Sequence, residues 1–502
     1  MTSDSEILLH EAVPQTQTVV GVSEKSEHQG LWSYRIAFLF LALYYIRPQD
    51  WLPGMAGMNI IRPVMVLWVM AMVVEGLHSP LRGFFRTAHD WAMLVFYIYV
   101  VWNAPSEAGA GSAMFSLVIF YYLTTQSLSS WKKLLGYLRA WTWLLIIIAL
   151  FGVLQTFGID VTGGKEITDF GKGRLALGTW TCNNPNALGH TVAAAVPLCY
   201  VMLFWRMSGF SRMVLFPAAL TLIVDCAWNT QSKGSFLVGA GLGVLVFVMG
   251  RPKWVQIIVL ASAMTVGVGA LSFMPRMESM GSLSSEEGVM GRLMAWEMAR
   301  EAYDRNTTGA GWKQFRAYIT VKEGSRWIVE DKSTHSSYVQ VAADLGMPGL
   351  FLWLLIPICT LRSVIFANVE KNGPEERCRR AILLLVTAYM VSSWMINREY
   401  HTEYYLIAAV GAAFHRLITA QRLQEQAVTG TAEKSMEKDA ESQQVEWSLS
   451  SSVDAPWIKH SEGKAAIASK RLWLRLDWID FAATWAGTWV VVYIWDYVLR
   501  SL

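Results

Sequence analysis

The sequence predicts an all-α integral membrane protein of about 12 to 13 transmembrane helices, with a large extracytoplasmic loop containing short helices. Of the 502 residues, 53% are apolar and 16% charged, whereas an average soluble domain carries roughly 25% charged residues. Mean hydropathy is +0.32. Apolar runs recur at close to the roughly 20 residues that a helix needs to cross a bilayer core. This composition disfavours a soluble enzyme, a nucleic-acid binder and a disordered scaffold. A net charge of +3 on scattered carriers makes no footprint for nucleic acid. Cys182, Cys199, Cys226, Cys359 and Cys378 form no C-x-x-C pair, so neither a disulfide framework nor a zinc site is implied.

Taken in chain order, residues 1–31 are polar and acidic with no basic stretch ahead of an apolar core, and are expected to be a cytoplasmic leader. Transmembrane helices 1–9 are expected within 32–274, over 32–46, 59–76, 91–103, 112–128, 135–157, 186–205, 213–230, 235–250 and 254–274. Residues 275–345 form the large periplasmic loop. Helices 10–12 follow within 346–418, over 346–366, 381–397 and 403–418. Residues 419–470, rich in Ser, Glu, Gln, Lys and Ala, read as a disordered cytoplasmic tail. The segment 471–502 carries Trp473, Trp478, Trp485, Trp489 and Trp495 with Asp480 and Asp496, and suits either a span or an interfacial helix; its orientation stays open.

Loop charge sets the expected orientation, because Lys and Arg in short loops concentrate on the cytoplasmic side. Alternate connections carry Arg82 and Arg86, Lys132 and Lys133, Arg206 and Arg212, Arg251 and Lys253, then Lys371, Arg377, Arg379 and Arg380. These are the expected inner loops. The outer loops nevertheless contain Arg174, Lys233, Arg292 and Arg398, which an anionic ligand would explain as well as headgroup anchoring does.

Local patterns around these cations suit a phosphate. Asn184 followed by Pro185 reads as an N-cap and first helical position, with Asn186 in the first turn. The helix after Lys233 also starts on the outer side, so two helix N-termini offer unpaired N–H groups near basic residues. Arg292, Trp296, Ala299 and Tyr303 share one helical face. Gly309-Ala-Gly311-Trp312 then breaks that helix, either as a simple turn or to let backbone approach a ligand. Within Ser333-Thr-His335-Ser-Ser-Tyr338, His335 is expected in the first turn of a short helix that stops at Gly346 and Pro348. A helix N-terminus and nearby cations would keep its imidazole neutral and able to accept a proton. Glu399-Tyr-His401-Thr-Glu403 is a compact His and carboxylate cluster, but alternating positions do not share a helical face, and a solvated loop is the expectation. No phosphate loop, G-x-S-x-G elbow, H-E-x-x-H motif or outer D-x-D pair occurs.

These outer motifs resemble the bacterial O-antigen ligase and O-antigen polymerase superfamily. The resemblance rests on Arg174 followed by GTWTCNNPNALGH, then TQSKGSF, then GRLMAWEMA with TGAGW, and finally THSSYVQVAADLGMPGLF, in that order over roughly residues 170–360; Tyr44-Tyr-Ile-Arg-Pro-Gln-Asp50 also looks familiar for these enzymes. The family often has Arg where Lys233 stands and Asn where Ser336 stands. The resemblance implies an inverting, metal-independent glycosyltransferase that needs no cofactor or nucleotide. Its donor would be a polyprenyl-diphosphate-linked glycan and its acceptor a glycan, a lipid core or a protein, at the outer face of the bacterial inner membrane. It implies His335 as general base, with Arg174, Lys233, Arg292, Asn184 and Asn186 at the donor diphosphate and Trp312, Tyr338, Arg398, Glu399 and Glu403 in support. Ligase, polymerase and protein O-glycosylation readings are not separated by sequence. A flippase for lipid-linked glycan, which would want a polar membrane path, and a non-catalytic assembly protein or sensor are the readings from other classes.

Overall fold

A computed structural model describes residues 30–76, 85–163, 173–248, 251–259, 261–262, 287–323, 326–448 and 476–501. Residues 1–29 of the leader, Arg82 and most of the expected ninth span lie outside the described residues. The described chain is mostly helical. In order it forms α1 (Leu31–Tyr45), α2 (Pro48–Trp51), α3 (Ile61–Val74), α4 (Ala88–Asn103), α5 (Ala110–Ser127) and α6 (Trp131–Thr156). Then come α7 (Pro185–Phe204), α8 (Ser211–Asn229) and α9 (Lys233–Val248), followed by α10 (Glu287–Arg305), α11 (Ser337–Ile365), α12 (Pro374–Ser392), α13 (Thr402–Ser448) and α14 (Trp478–Ser501). Of these, α6, α7, α8 and α11 are long and apolar enough to cross a membrane, and α3 and α9 are shorter apolar helices. All five cysteines are free and buried.

Three features differ from the sequence expectation. The loop expected to contain short helices holds the 19-residue helix α10 and, beyond helices, an antiparallel hairpin of β1 (Ala317–Glu323) and β2 (Arg326–Lys332), in register from Ala317 opposite Lys332 to Glu323 opposite Arg326. Tyr-Ile-Thr-Val and Trp-Ile-Val are rich in the β-branched and aromatic residues that suit a pleated surface, which is the local reason for strands here. Helix α13 runs on past residue 418 to Ser448, into the stretch read as a disordered tail. Its later residues are rich in Ala, Glu, Gln and Lys, which are good helix formers even without an apolar face. Finally, α11 contains a break at Gly346, whose φ of 65° is not helical. The expected stop is therefore a kink between two helical pieces.

Two ion pairs orient the last helix. Arg362, near the end of α11, pairs with Asp480 at the start of α14, while Arg300 on α10 contacts Asp496 at 2.8 Å. Helix α14 thus runs antiparallel along α11, with Phe481 stacked on Phe351 at 6.1 Å and Trp495 against Tyr303 at 5.9 Å. Buried aromatic residues dominate the core between α1, α3, α4, α5, α6, α11 and α13, among them Phe40, Trp68, Phe96, Tyr121, Trp141, Trp353 and Phe414. Such side chains bring large apolar area and defined rotamers to helix contacts.

The bundle has a clear polarity. Lys133 at the start of α6 donates to the Gly30 carbonyl, and Arg379 of α12 reaches the Val364 carbonyl, so both lie at one end. At the other end, Tyr45 closes α1 by donating to Glu403 at the start of α13. The starts of α7, α9 and α11 gather at this second end, and so do the cations singled out above.

Candidate active site

Asn184 caps α7: its side chain accepts from the Asn186 N–H at 2.8 Å, and Pro185 takes the first helical position. Pro lacks the N–H that would be unpaired there and is preset for helical φ, which is why this pair starts the helix cleanly. Asn184 is thereby occupied as a cap. Asn186 instead turns its oxygen to Arg174, accepting from Nη2 at 3.0 Å, while Arg174 Nε donates to the Thr230 carbonyl at 3.1 Å. The half-buried Arg174 therefore bridges the start of α7 to the turn that leads, three residues on, to Lys233.

Helices α7 and α9 pack very closely here. A Cβ on Gly189 would collide with Ser235, and one on Gly234 would stand 3.5 Å from His190 Nε2. His190 was not among the residues singled out from sequence. It lies one turn after Asn186 on α7, holds Ser392 through Nδ1 at 3.2 Å, and sits among Arg398, Arg292 and His335. The four-residue spacing from Asn186 was the available signal, since residues at i and i+4 share a helical face. A pocket of ≈ 10 Å³ lined by His190, Ser392, Ser393, Arg398 and Glu403 has room for about one water molecule.

His335 stands just before α11 rather than in its first turn. The cap is Ser336, whose side chain accepts from the Val339 N–H, and His335 has a left-handed backbone at φ 48°. Left-handed backbone is uncommon for a residue with a Cβ and is held only where surroundings enforce it. The enforcement is visible on both sides. Ser337 N–H donates to the Ser393 carbonyl at 2.7 Å, and Trp296 Nε1 donates to the Thr334 carbonyl at 2.7 Å. Trp296 shares its helical face with Arg292 one turn earlier, so the same bond brings the Arg292 face of α10 to His335. The half-buried imidazole is pushed down to about 4, chiefly by burial and then by the Arg292 guanidinium. It is neutral at pH 7 and available as an acceptor.

The cluster expected to be a solvated loop is buried. Arg398 donates to Glu403 at 2.7 Å, to the Ala187 carbonyl at 2.7 Å and to Thr191 at 2.5 Å. It is a tie between α7 and α13, with its charge already balanced. His401 stacks on Trp180 at 5.1 Å. Burial raises the Glu399 carboxyl to about 8, so it carries a proton at pH 7. Glu399, His401 and Glu403 point to different neighbours and share no ligand position. The local sequence hid this because burial came from α7 and the 173–184 segment, far away in the chain.

Trp312 and Tyr338 are buried packing residues. Tyr338 donates to the Met390 carbonyl at 2.8 Å and lies 4.6 Å from Trp394. Trp312 meets Tyr400 edge to face at 5.9 Å, with the exposed Lys313 ammonium over both rings. The glycines before Trp312 approach the backbone of α11. Ala310 and Gly311 N–H groups donate to the Ala343 and Asp344 carbonyls at 2.9 and 2.7 Å, and Tyr99 donates to Leu345 at 2.7 Å. These bonds satisfy carbonyls that the kink leaves without helical partners.

Residues 217–354 match the family model described as O-antigen ligase. The match supports the resemblance of this chain to the O-antigen ligase and polymerase superfamily. No curated protein matches it. The matched residues include Lys233, Arg292 and His335, whereas Arg174, Asn184, Asn186 and Arg398 lie outside the match and reach the site through the fold. The resemblance also bears on Ser336, which stands where the superfamily often has Asn. Both are preferred N-cap residues that accept a hydrogen bond from the first turn, so the change preserves the start of α11.

Proposed function

We propose that this protein is a membrane glycosyltransferase that moves a glycan from a polyprenyl diphosphate to an acceptor hydroxyl at the outer face of the inner membrane. The observation that carries the reading is a neutral His335 beside Arg292, at the same end of the bundle as Arg174 and Lys233. The acceptor oxygen attacks the anomeric carbon while His335 takes its proton. The bond from that carbon to the diphosphate breaks, and the charge left on polyprenyl diphosphate is offset by Arg174, Lys233 and Arg292. Inversion and metal independence are proposed on the superfamily resemblance.

An apolar groove supports the lipid part of the substrate. It has a volume of ≈ 290 Å³ and runs between α7, α8 and α9, lined by Ala193, Tyr200, Phe216, Ser235, Gly243 and Phe247 among others. Ser235 lies in the first turn of α9, two residues after Lys233, so the groove opens beside the cations. A prenyl chain in it would have its diphosphate at the two helix N-termini. The small residues Gly239, Ala240 and Gly243 are what leave the groove open on the α9 side.

Single-turnover transfer by the purified protein tests this, using one labelled polyprenyl-diphosphate glycan with glycan, lipid-core and peptide acceptors in parallel. Formation of a new glycosidic product with one acceptor class supports the reading and assigns the acceptor. Movement of the donor across reconstituted bilayers with no product from any acceptor would instead favour a flippase.

A further inference from the structure

At the end of the bundle away from the candidate site, a second polar pocket lies between the end of α11 and the middle of α13. It is lined by Arg362, Ser363, Phe366, Ala367, His415, Ile418 and Arg422. His415, Ile418 and Arg422 fall at spacings of three and four, hence on one face of α13. Ser363 and His415 hold each other at 2.9 Å across the two helices. Ser363 also donates to the Cys359 carbonyl at 2.8 Å, which fixes the pocket wall.

The charge balance here is specific. Arg362 is paired with Asp480 of α14, so its charge is spoken for although its guanidinium still lines the pocket. Arg422 is half-buried and has no acidic partner among the described residues. One net positive charge therefore remains, with the Arg362 and Arg422 guanidinium groups around it. That matches a phosphodiester, which carries one negative charge. Phe366 in the pocket wall is exposed, as are its chain neighbour Ile365 and Leu423, which follows Arg422, and Trp478 is exposed at the same end of α14. Exposed apolar residues bordering a basic pocket suit acyl chains below a headgroup, and Trp is favoured at the membrane boundary. From Ser337 to Arg362 the helix rises about 37 Å, enough to put the two sites at opposite boundaries of a bilayer with a core of about 30 Å.

We propose that this pocket binds the phosphate of an anionic phospholipid in the leaflet opposite the candidate active site. Its ligand is a resident lipid, separate from the polyprenyl donor, and the assignment does not depend on the transfer reaction. Losing one charge-assisted contact of this kind is expected to weaken binding by about tenfold or more.

The test follows thermal unfolding of the purified full-length protein in neutral detergent while dioctanoyl phosphatidylglycerol is titrated, with dioctanoyl phosphatidylcholine and inorganic phosphate as comparison probes. Phosphatidylglycerol should raise the unfolding temperature saturably. Arg422→Gln should raise the half-saturating concentration about tenfold, and Arg422→Lys should restore part of it. Arg251→Gln, which removes an exposed cation elsewhere, should leave it unchanged. Equal responses to phosphatidylcholine, or equal losses in the Arg422 and Arg251 variants, would overturn the proposal. A saturable response to inorganic phosphate that abolishes the lipid effect would reassign the pocket to a soluble anion.

Discussion

Gly309 and Gly346 meet backbone to backbone, joining the loop after α10 to the kink in α11. A Cβ on Gly346 would overlap the Thr307 carbonyl, and one on Gly309 would overlap the Asp344 carbonyl. Both residues also have positive φ, 79° and 65° respectively. This contact sets the distance between the helix bearing Arg292 and the helix that follows His335, so two glycines with no chemistry of their own control the site geometry.

Gly346→Ala is expected to destabilise the protein by roughly 2–4 kcal/mol, combining backbone strain with forced displacement of the loop. Gly57→Ala provides the contrast: its φ of 79° is similar but no atom lies within 4 Å of the added Cβ, so only about 1 kcal/mol is expected. Thermal unfolding of both variants checks this. Equal shifts would show that the Gly309 contact contributes nothing.

His335→Ala should lower transfer by about 100- to 10,000-fold with donor binding retained, the usual contribution of a positioned base. His335→Gln should be nearly as impaired, since it retains polarity without basicity. Because the imidazole is pushed down to about 4, the acid limb of kcat/KM should fall near pH 4 and not near the ordinary histidine value of about 6.5. Rate profiles over pH 3.5 to 8 measure it. Loss of donor binding in step with transfer would assign His335 to positioning the donor.

Arg174→Ala and Arg292→Ala should each cost roughly tenfold to a hundredfold in donor affinity or transfer. The two should differ in stability. Arg174 holds Asn186 and the Thr230 carbonyl, so its removal should also lower the unfolding temperature, and Lys should restore only part of both effects because it lacks the planar fork. Donor binding and unfolding measured on the same preparations separate ligand contact from structural bridging. Wild-type values for both quantities in both variants would leave these residues without a role in the site.

Glu399 makes a stability prediction with a definite sign. Its folded carboxyl titrates at about 8, above the value of about 4.3 for an exposed glutamate. Between those values the folded state keeps a proton that the unfolded state has lost, so this group makes stability fall as pH rises from about 4.3 to 8, with no further loss above. His335 acts oppositely between about 4 and 6.5, where its folded form binds fewer protons. The window from pH 6.5 to 8 therefore excludes His335, and the Glu399→Gln variant separates Glu399 from other buried carboxyl groups such as Asp344. Denaturant unfolding should show a shallower pH dependence there in Glu399→Gln than in wild type; parallel slopes would contradict the assignment.

The polarity of the bundle gives a topology prediction. Cysteines introduced at positions 174, 233, 292 and 335 of a cysteine-free protein should react with an impermeant reagent in intact cells once the outer membrane is opened, and those at 132 and 379 should not. Labelling at 132 without labelling at 292 would reverse the orientation.

Helix positions were legible in the sequence wherever apolar runs were continuous: the expected 135–157, 186–205 and 213–230 are the helices Trp131–Thr156, Pro185–Phe204 and Ser211–Asn229. The Asn184 and Pro185 start of α7 was legible too, because a cap acts within three residues. His335, Arg292, Arg174 and Lys233 were recognisable as an ordered set of motifs. Their mutual arrangement was not, since it depends on contacts such as Trp296 to Thr334 and Arg174 to Thr230 that join distant segments. The tertiary structure alone decided that Arg398 is a buried, balanced tie, that Glu399 holds a proton, and that Gly309 serves the backbone of α11. It also set the direction of α14 through Asp480 and Asp496. Each of these turns on which groups share a low-dielectric interior, and burial is a property of the packed chain that local residue patterns do not carry.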